Sequence, residues 1–160
     1  MKTHTINNHL ETIKKSYTDL ISKPNEPISN SNGIYCRYQN PILTSNHIPI
    51  HWRYDLNPKT NPRQLERIGF NATMNSGAMK WKDKYILCVR IEGNDRKSFF
   101  AIAESSNGID HFEFWDKPCV IPQIDKNPDT NVYDMRLVQH EDGWIYGVFC
   151  TERKDPQHTS

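Results

Sequence analysis

Closely spaced cysteines, basic runs and long apolar stretches are all missing from this sequence. Its four cysteines, Cys36, Cys88, Cys119 and Cys150, stand far apart with no C-x-x-C pair. Zinc sites and disulfide scaffolds announce themselves by close spacing. Four reduced thiols in or near a core are therefore expected. Net charge is +1, and without a basic stripe a nucleic-acid footprint is not expected. No apolar run reaches the roughly 18 residues that span a bilayer. The opening "MKTHTINNHLETIKK" lacks the apolar stretch of a signal peptide. These absences point to a soluble, cytoplasmic protein. His47 and His51 lie four apart, but "HIPIHW" contains a proline and alternates, which argues against a helix and a metal there.

What is present is one helix and many strands. The 160 residues, 36% hydrophobic, suffice for one domain with a core. In residues 8–22, Leu10, Ile13, Tyr17, Leu20 and Ile21 recur at helical spacing. Asn8 with Glu11 reads as a capping box, and Pro24 ends the helix. Such a helix must pack on its own domain or on a neighbouring subunit. Residues 23–34, "KPNEPISNSNGI", read as a loop. Prolines at 41, 49, 58 and 62 keep the pieces in 35–70 short or edge-like.

Beyond residue 77 the pattern becomes regular. "AMKWKDKYILCVRIEG" reads as strand, turn and strand, with Tyr85, Leu87, Val89 and Ile91 on one face and Arg90 and Glu92 on the other. "KSFFAIAES" and "HFEFW" read as further strands. "DMRLVQHEDGWIYGVFCTER" repeats the unit. Lining "KDKYILCV" up with "EDGWIYGV" puts Tyr85 on Trp144, Leu87 on Tyr146 and Val89 on Val148, an offset of 59. A strand-rich repeat of about 50–60 residues is a propeller signature. There is room for roughly two blades, so the chain reads as the front part of a longer protein. A small self-contained sandwich or barrel is the alternative.

Several polar groups sit where strands are otherwise apolar. By alternation, Tyr133, Met135 and Leu137 share one face, and Val132, Asp134, Arg136 and Val138 the other. Arg90 lies mid-strand, Arg96 follows a turn, and Arg153 ends a strand. Asn75 and Ser76 precede Gly77, which lets backbone approach closely. Trp52 and Tyr133 are aromatics suited to sugar rings. Structural readings compete: Arg90 pairing with Glu92, Arg153 with Glu152 or Asp155, Asn75 making a turn.

The stretches "NGIYCRYQNPILTSNHIPIHWRYDLNP", "ERIGFNATMNSGAMK", "VRIEGNDRKSFFAIAESSNGIDHFEFW" and "NVYDMRLVQHEDGWIYGVFCTER" together resemble glycoside hydrolase family 130. They are most similar to its members that phosphorolyse mannosyl-β-1,4-glucose. The resemblance implies an all-β, five-bladed β-propeller. Residues 1–34 would form an N-terminal helix and loop, and 35–160 a partial propeller truncated at its C-terminus. It implies inverting phosphorolysis to α-D-mannose 1-phosphate and glucose. No cofactor is implied, inorganic phosphate being a co-substrate. The partners are disaccharide and phosphate, with neither nucleic acid nor membrane, and a homo-oligomer is expected through the N-terminal helix. Asp134, in "YDMR", matches the single catalytic acid, which relays its proton through the sugar's 3-hydroxyl. Arg136 would orient it. Asn75, Ser76 and Arg90 match ligands of the mannosyl unit, Arg96 a contact on the leaving side, and Arg153 one of the phosphate cations. Tyr133 adjoins the acid but alternation turns it away.

An inverting hydrolase needs two carboxyl groups, one to protonate and one to activate water. Phosphate is already anionic, so one acid suffices. A β-mannoside hydrolase on the same fold is the competing enzyme; Glu152 is the only nearby candidate for its second carboxylate, and alternation points it the other way. A fragment that only binds sugar or assembles with other chains is the non-catalytic reading.

Overall fold

A computed structural model describes residues 2–28, 33–124 and 126–153, and it is mostly strand with few helices. Helix α1, Lys2–Ile21, begins six residues before the expected start. Asn8 therefore lies inside the helix and not at its cap. The apolar stripe is as expected: within residues 9–21, Leu10, Ile13, Tyr17, Leu20 and Ile21 are half-buried and all others exposed. This stripe faces Asn46, Ile50, Arg53 and Tyr54 across a groove. Among the described residues no helix is long and apolar enough to cross a membrane.

The stretch expected as a loop contributes strand β1, Pro27–Ile28, which pairs antiparallel with β2, Arg37–Tyr38. Residues 29–32 lie outside the described residues. "HIPIHW" also departs from expectation. A 3-10 turn covers Ser45–His47 and a single helical turn, α2, covers Ile50–Arg53. Pro49 stands just before α2, where its missing N–H costs nothing. His47 Nδ1 accepts the Thr44 N–H at 3.0 Å, while His51 Nε2 and Trp52 Nε1 reach the Asp116 carbonyl at 3.2 and 2.8 Å. Trp52 is half-buried and packs against the core beside Phe99 and Phe114.

Four antiparallel strands follow in sequence order: β3 Phe70–Trp81, β4 Lys84–Gly93, β5 Ser98–Ser105 and β6 Glu113–Phe114. A separate hairpin joins β7, Asp129–Gln139, to β8, Ile145–Arg153. The repeat is structural. Register shifts between Phe70/Ala72 and Met74/Gly77 on β3 recur between Asp129/Asn131 and Tyr133/Arg136 on β7, each 59 residues on. The offset changes after the turn, however. Ala78 pairs with Leu87 and Leu137 with Gly147, so the returning strands align at 60 and not 59. The cause is the connection. Lys82 and Asp83 make a two-residue turn, whereas Glu141, Asp142 and Gly143 make a three-residue one, with Gly143 at φ 85. One extra residue flips every following side chain. Leu87 and Val89 therefore correspond to Gly147 and Phe149, and Tyr146 and Val148 lie on the opposite, exposed face.

Alternation on β4 builds two cores. Leu87, Val89 and Ile91 pack with Ile48, Phe112 and Phe114 on one side of the sheet. Cys88 and Phe100 pack with Val132, Met135, Leu137 and Phe149 on the other, joining the sheet to the second hairpin. Cys88 is buried and donates to Met135 Sδ at 3.4 Å; Cys119 is half-buried, whereas Cys36 and Cys150 are exposed, outside any core.

Behind α1 an ionic cluster ties the helix end to the loop after β5. The Asp110 carboxylate accepts from Asn107 Nδ2 at 2.7 Å, from the His111 ring, and from the Asn25 N–H at 2.9 Å. These donors, Asn107 first, hold its pKa down from 3.8 to about 2. Asp110 chiefly raises His111 above 6.5, helped by the Ser22 carbonyl. The depressed acid contributes stability above its unfolded pKa and loses it as pH falls through about 2. The raised histidine contributes below 6.5 and loses it as pH rises through its folded value. The melting-temperature difference between the protein and Asp110→Asn should thus be greatest between about pH 4 and 6.5 and shrink on either side. A pH-independent difference would contradict the assignment.

Candidate active site

The two bulges meet. On β3, Asn75 and Ser76 together oppose Val89; on β7, Asp134 and Met135 together oppose Phe149. Asn75 and Asp134 stand at φ 46 and 54, the left-handed region that Asn and Asp tolerate best. They are 59 apart, hence the same position in the two repeats, and Asn75 Nδ2 donates to Asp134 Oδ2 at 3.0 Å. Gly77 permits the approach: a Cβ there would fall 2.3 Å from the Met135 carbonyl oxygen.

Arg90 completes the cluster. Nη1 lies 3.3 Å from Asp134 Oδ1, Nη2 lies 3.7 Å from Glu92 Oε2, and Nε donates to Ser98 Oγ at 3.0 Å. Its guanidinium sits 4.5 Å from the centre of the Tyr133 ring. The Arg90 side chain is only 11% exposed, and two carboxylates offset its desolvation. Asp134 is 38% exposed, so the acid is held from behind and open in front. Tyr133 donates its hydroxyl to Glu152 at 2.6 Å, which, as the largest cause, raises the phenol's pKa.

Asn75, Arg90 and Asp134 are thus brought together, with Ser76 beside Asn75 in the same bulge. Arg96, at φ 66, is tied in through its carbonyl, which accepts from Asn131 Nδ2 at 3.3 Å. Arg153 is not brought to the acid. Its Nε donates to Asp129 at 2.7 Å, at the far end of the hairpin beside a cavity walled by Ile121, Pro122, Val132 and Phe149. Asp155, its other expected partner, lies outside the described residues. Two expectations are corrected by the bulge, which breaks strand parity. Val132 joins Met135 and Leu137 in the core. Tyr133 faces Arg90 and so belongs to the cluster. Arg136 does not orient the carboxylate: its Nη1 donates to the Asn75 carbonyl at 3.0 Å, and the cation on Asp134 is Arg90. Ser98 and Asn131 went unforeseen, since a lone serine and asparagine in strands carry no spacing signal.

No protein-family model matches the chain. A relative does, and it bears out the resemblance to the phosphorylases of glycoside hydrolase family 130, for an N-terminal portion of such a protein. The relative is a 4-O-β-D-mannosyl-D-glucose phosphorylase of Bacteroides fragilis, 56% identical over 149 residues. The match covers 93% of this chain and 38% of that protein, so the chain spans well under half the relative's length.

Proposed function

We propose that this chain carries the acid-bearing part of an inverting mannoside phosphorylase, which converts mannosyl-β-1,4-glucose and phosphate to α-D-mannose 1-phosphate and glucose. The observation that carries the reading is one open carboxylate, Asp134, held between the Asn75 amide and the Arg90 guanidinium. A proton delivered at that edge assists departure of glucose. Phosphate attacks the opposite face of the sugar, and the C1–O bond breaks as the C1–phosphate bond forms. Asn75, Ser76, Arg90 and Arg96 would hold the sugars, and Arg153 one side of the phosphate. Hydrolysis would need a second carboxylate beside the sugar to activate water. The candidates are engaged: Glu92 with Arg90 and Asn71, Glu152 with Tyr133.

We read the fold as part of a β-propeller. Two sheets of one repeat stack face to face, and the β8 face bearing Tyr146 and Val148 corresponds to the β4 face, with Ile86 and Cys88, on which the second hairpin sits. The test is to incubate the purified chain, alone and fused to the part of the Bacteroides relative that it does not match, with mannosyl-β-1,4-glucose, with and without phosphate. Equal, phosphate-dependent release of glucose and mannose 1-phosphate is expected from the fusion. Mannose released without phosphate would establish a hydrolase instead.

A further inference from the structure

The repeat assigns a role to Glu152. Glu92 pairs in register with Ala72, and Glu152 with Asn131, so the two glutamates occupy one position in successive repeats. Glu92 reaches Arg90 directly, at 3.7 Å. Glu152 reaches it through an intermediary. Its Oε2 accepts the Tyr133 hydroxyl at 2.6 Å, and Asn131 Nδ2 donates to the same hydroxyl at 3.0 Å. The ring thus pinned at its outer end lies against the Arg90 guanidinium, 4.5 Å from its centre. Asn131 adds a second route: its Oδ1 accepts the Ser98 N–H at 2.8 Å, and Ser98 Oγ accepts Arg90 Nε at 3.0 Å.

An arginine side chain has many rotamers and is costly to immobilise. Asp134, Glu92 and Ser98 hold the guanidinium along its edge, and contact with a face is what further resists tilt out of its plane. A ring face packed against that plane resists the tilt, and it does so only if the ring itself cannot swing. We propose that Glu152 is a positioning residue: through the Tyr133 hydroxyl it clamps the aromatic face that holds Arg90 in line with Asp134. The consequence for sugar turnover rests on the phosphorylase reading; the clamp itself does not. Glu152 is then neither a base for water nor a surface carboxylate of no consequence.

The test is a double-mutant cycle in the whole chain, read by NMR at the Arg90 Nε–H, whose exchange with water reports how firmly the guanidinium is held. Glu152→Ala should speed that exchange about tenfold, the loss of one net hydrogen bond, and Tyr133→Phe, which also loses the Asn131 amide, at least as much. The double variant should be no faster than Tyr133→Phe alone, because the glutamate acts only through the hydroxyl. Glu152→Gln retains an acceptor and should restore most of the protection, which also covers the case in which the alanine variant folds poorly. Additive effects, or an unchanged Arg90 signal in Glu152→Ala, would overturn the proposal. Phosphorolysis by the same variants in the fusion tests the other reading separately. A fall of about 10- to 100-fold in kcat/KM is expected from a misplaced guanidinium. Coupled exchange without any phosphorolysis in the parent fusion would uphold the clamp and remove the phosphorylase reading.

Discussion

Asp134→Asn is expected to lower phosphorolysis of mannosyl-β-1,4-glucose by about 10²–10⁴-fold, the usual contribution of a positioned general acid. The substitution is nearly isosteric. Its Oδ1 still accepts from Arg90 or Asn75, and Glu92 remains on Arg90. Melting temperature should therefore fall little while the rate collapses. A second substrate separates chemistry from structure. An aryl β-mannoside with an acidic phenol leaves as the phenolate and needs no proton. On that substrate the variant should recover most of its deficit. An equal deficit on both substrates would mean that Asp134 binds the sugar and does not protonate it. Undiminished activity on mannosylglucose would remove Asp134 from the mechanism.

Which residues form the site was legible from motifs, but how they face each other was not. Alternation places Asp134 with Arg136 and turns Tyr133 away, and it fails because the chain inserts a residue at Asp134 with φ 54. Bulges are set by pairing with a partner strand, which a local pattern does not contain. The same limit explains the repeat. The offset of 59 is read from the turn and the returning strand, yet it holds on β3 and β7, and one extra turn residue at Gly143 moves β8 to 60 and exchanges its faces. A glycine in "EDGW" was the available signal for the three-residue turn. The amphipathic stripe of α1 was fully readable, because helical burial depends on near neighbours in sequence. Its start was not, since "NHLE" carries a capping pattern although the helix begins at Lys2.

Gly77→Ala should cost more than its single methyl suggests. The added Cβ would stand 2.3 Å from the Met135 carbonyl oxygen and 3.1 Å from Arg136 Cα, all backbone of β7. Backbone cannot step aside as a side chain does, so β3 and β7 must separate. Overpacking of this kind costs about 1–3 kcal/mol, at times more. For a chain of this size that is a fall of about 2–4 °C in Tm per kcal/mol. Gly147→Ala is the matched control. Its Cβ would meet Met135 Sδ at 2.7 Å, the end of a flexible side chain, so a smaller shift is expected. Equal melting of the two variants would contradict the close β3–β7 approach. The larger effect should be on the site. Separation pulls Asn75 from Asp134 and Arg136 from the Asn75 carbonyl, contacts of 3.0 Å each. Sugar turnover in Gly77→Ala should then fall about 100-fold, while Gly147→Ala stays near the parent. The glycine that lets the two strands touch would thereby also set the distance between the acid and the amide that holds it.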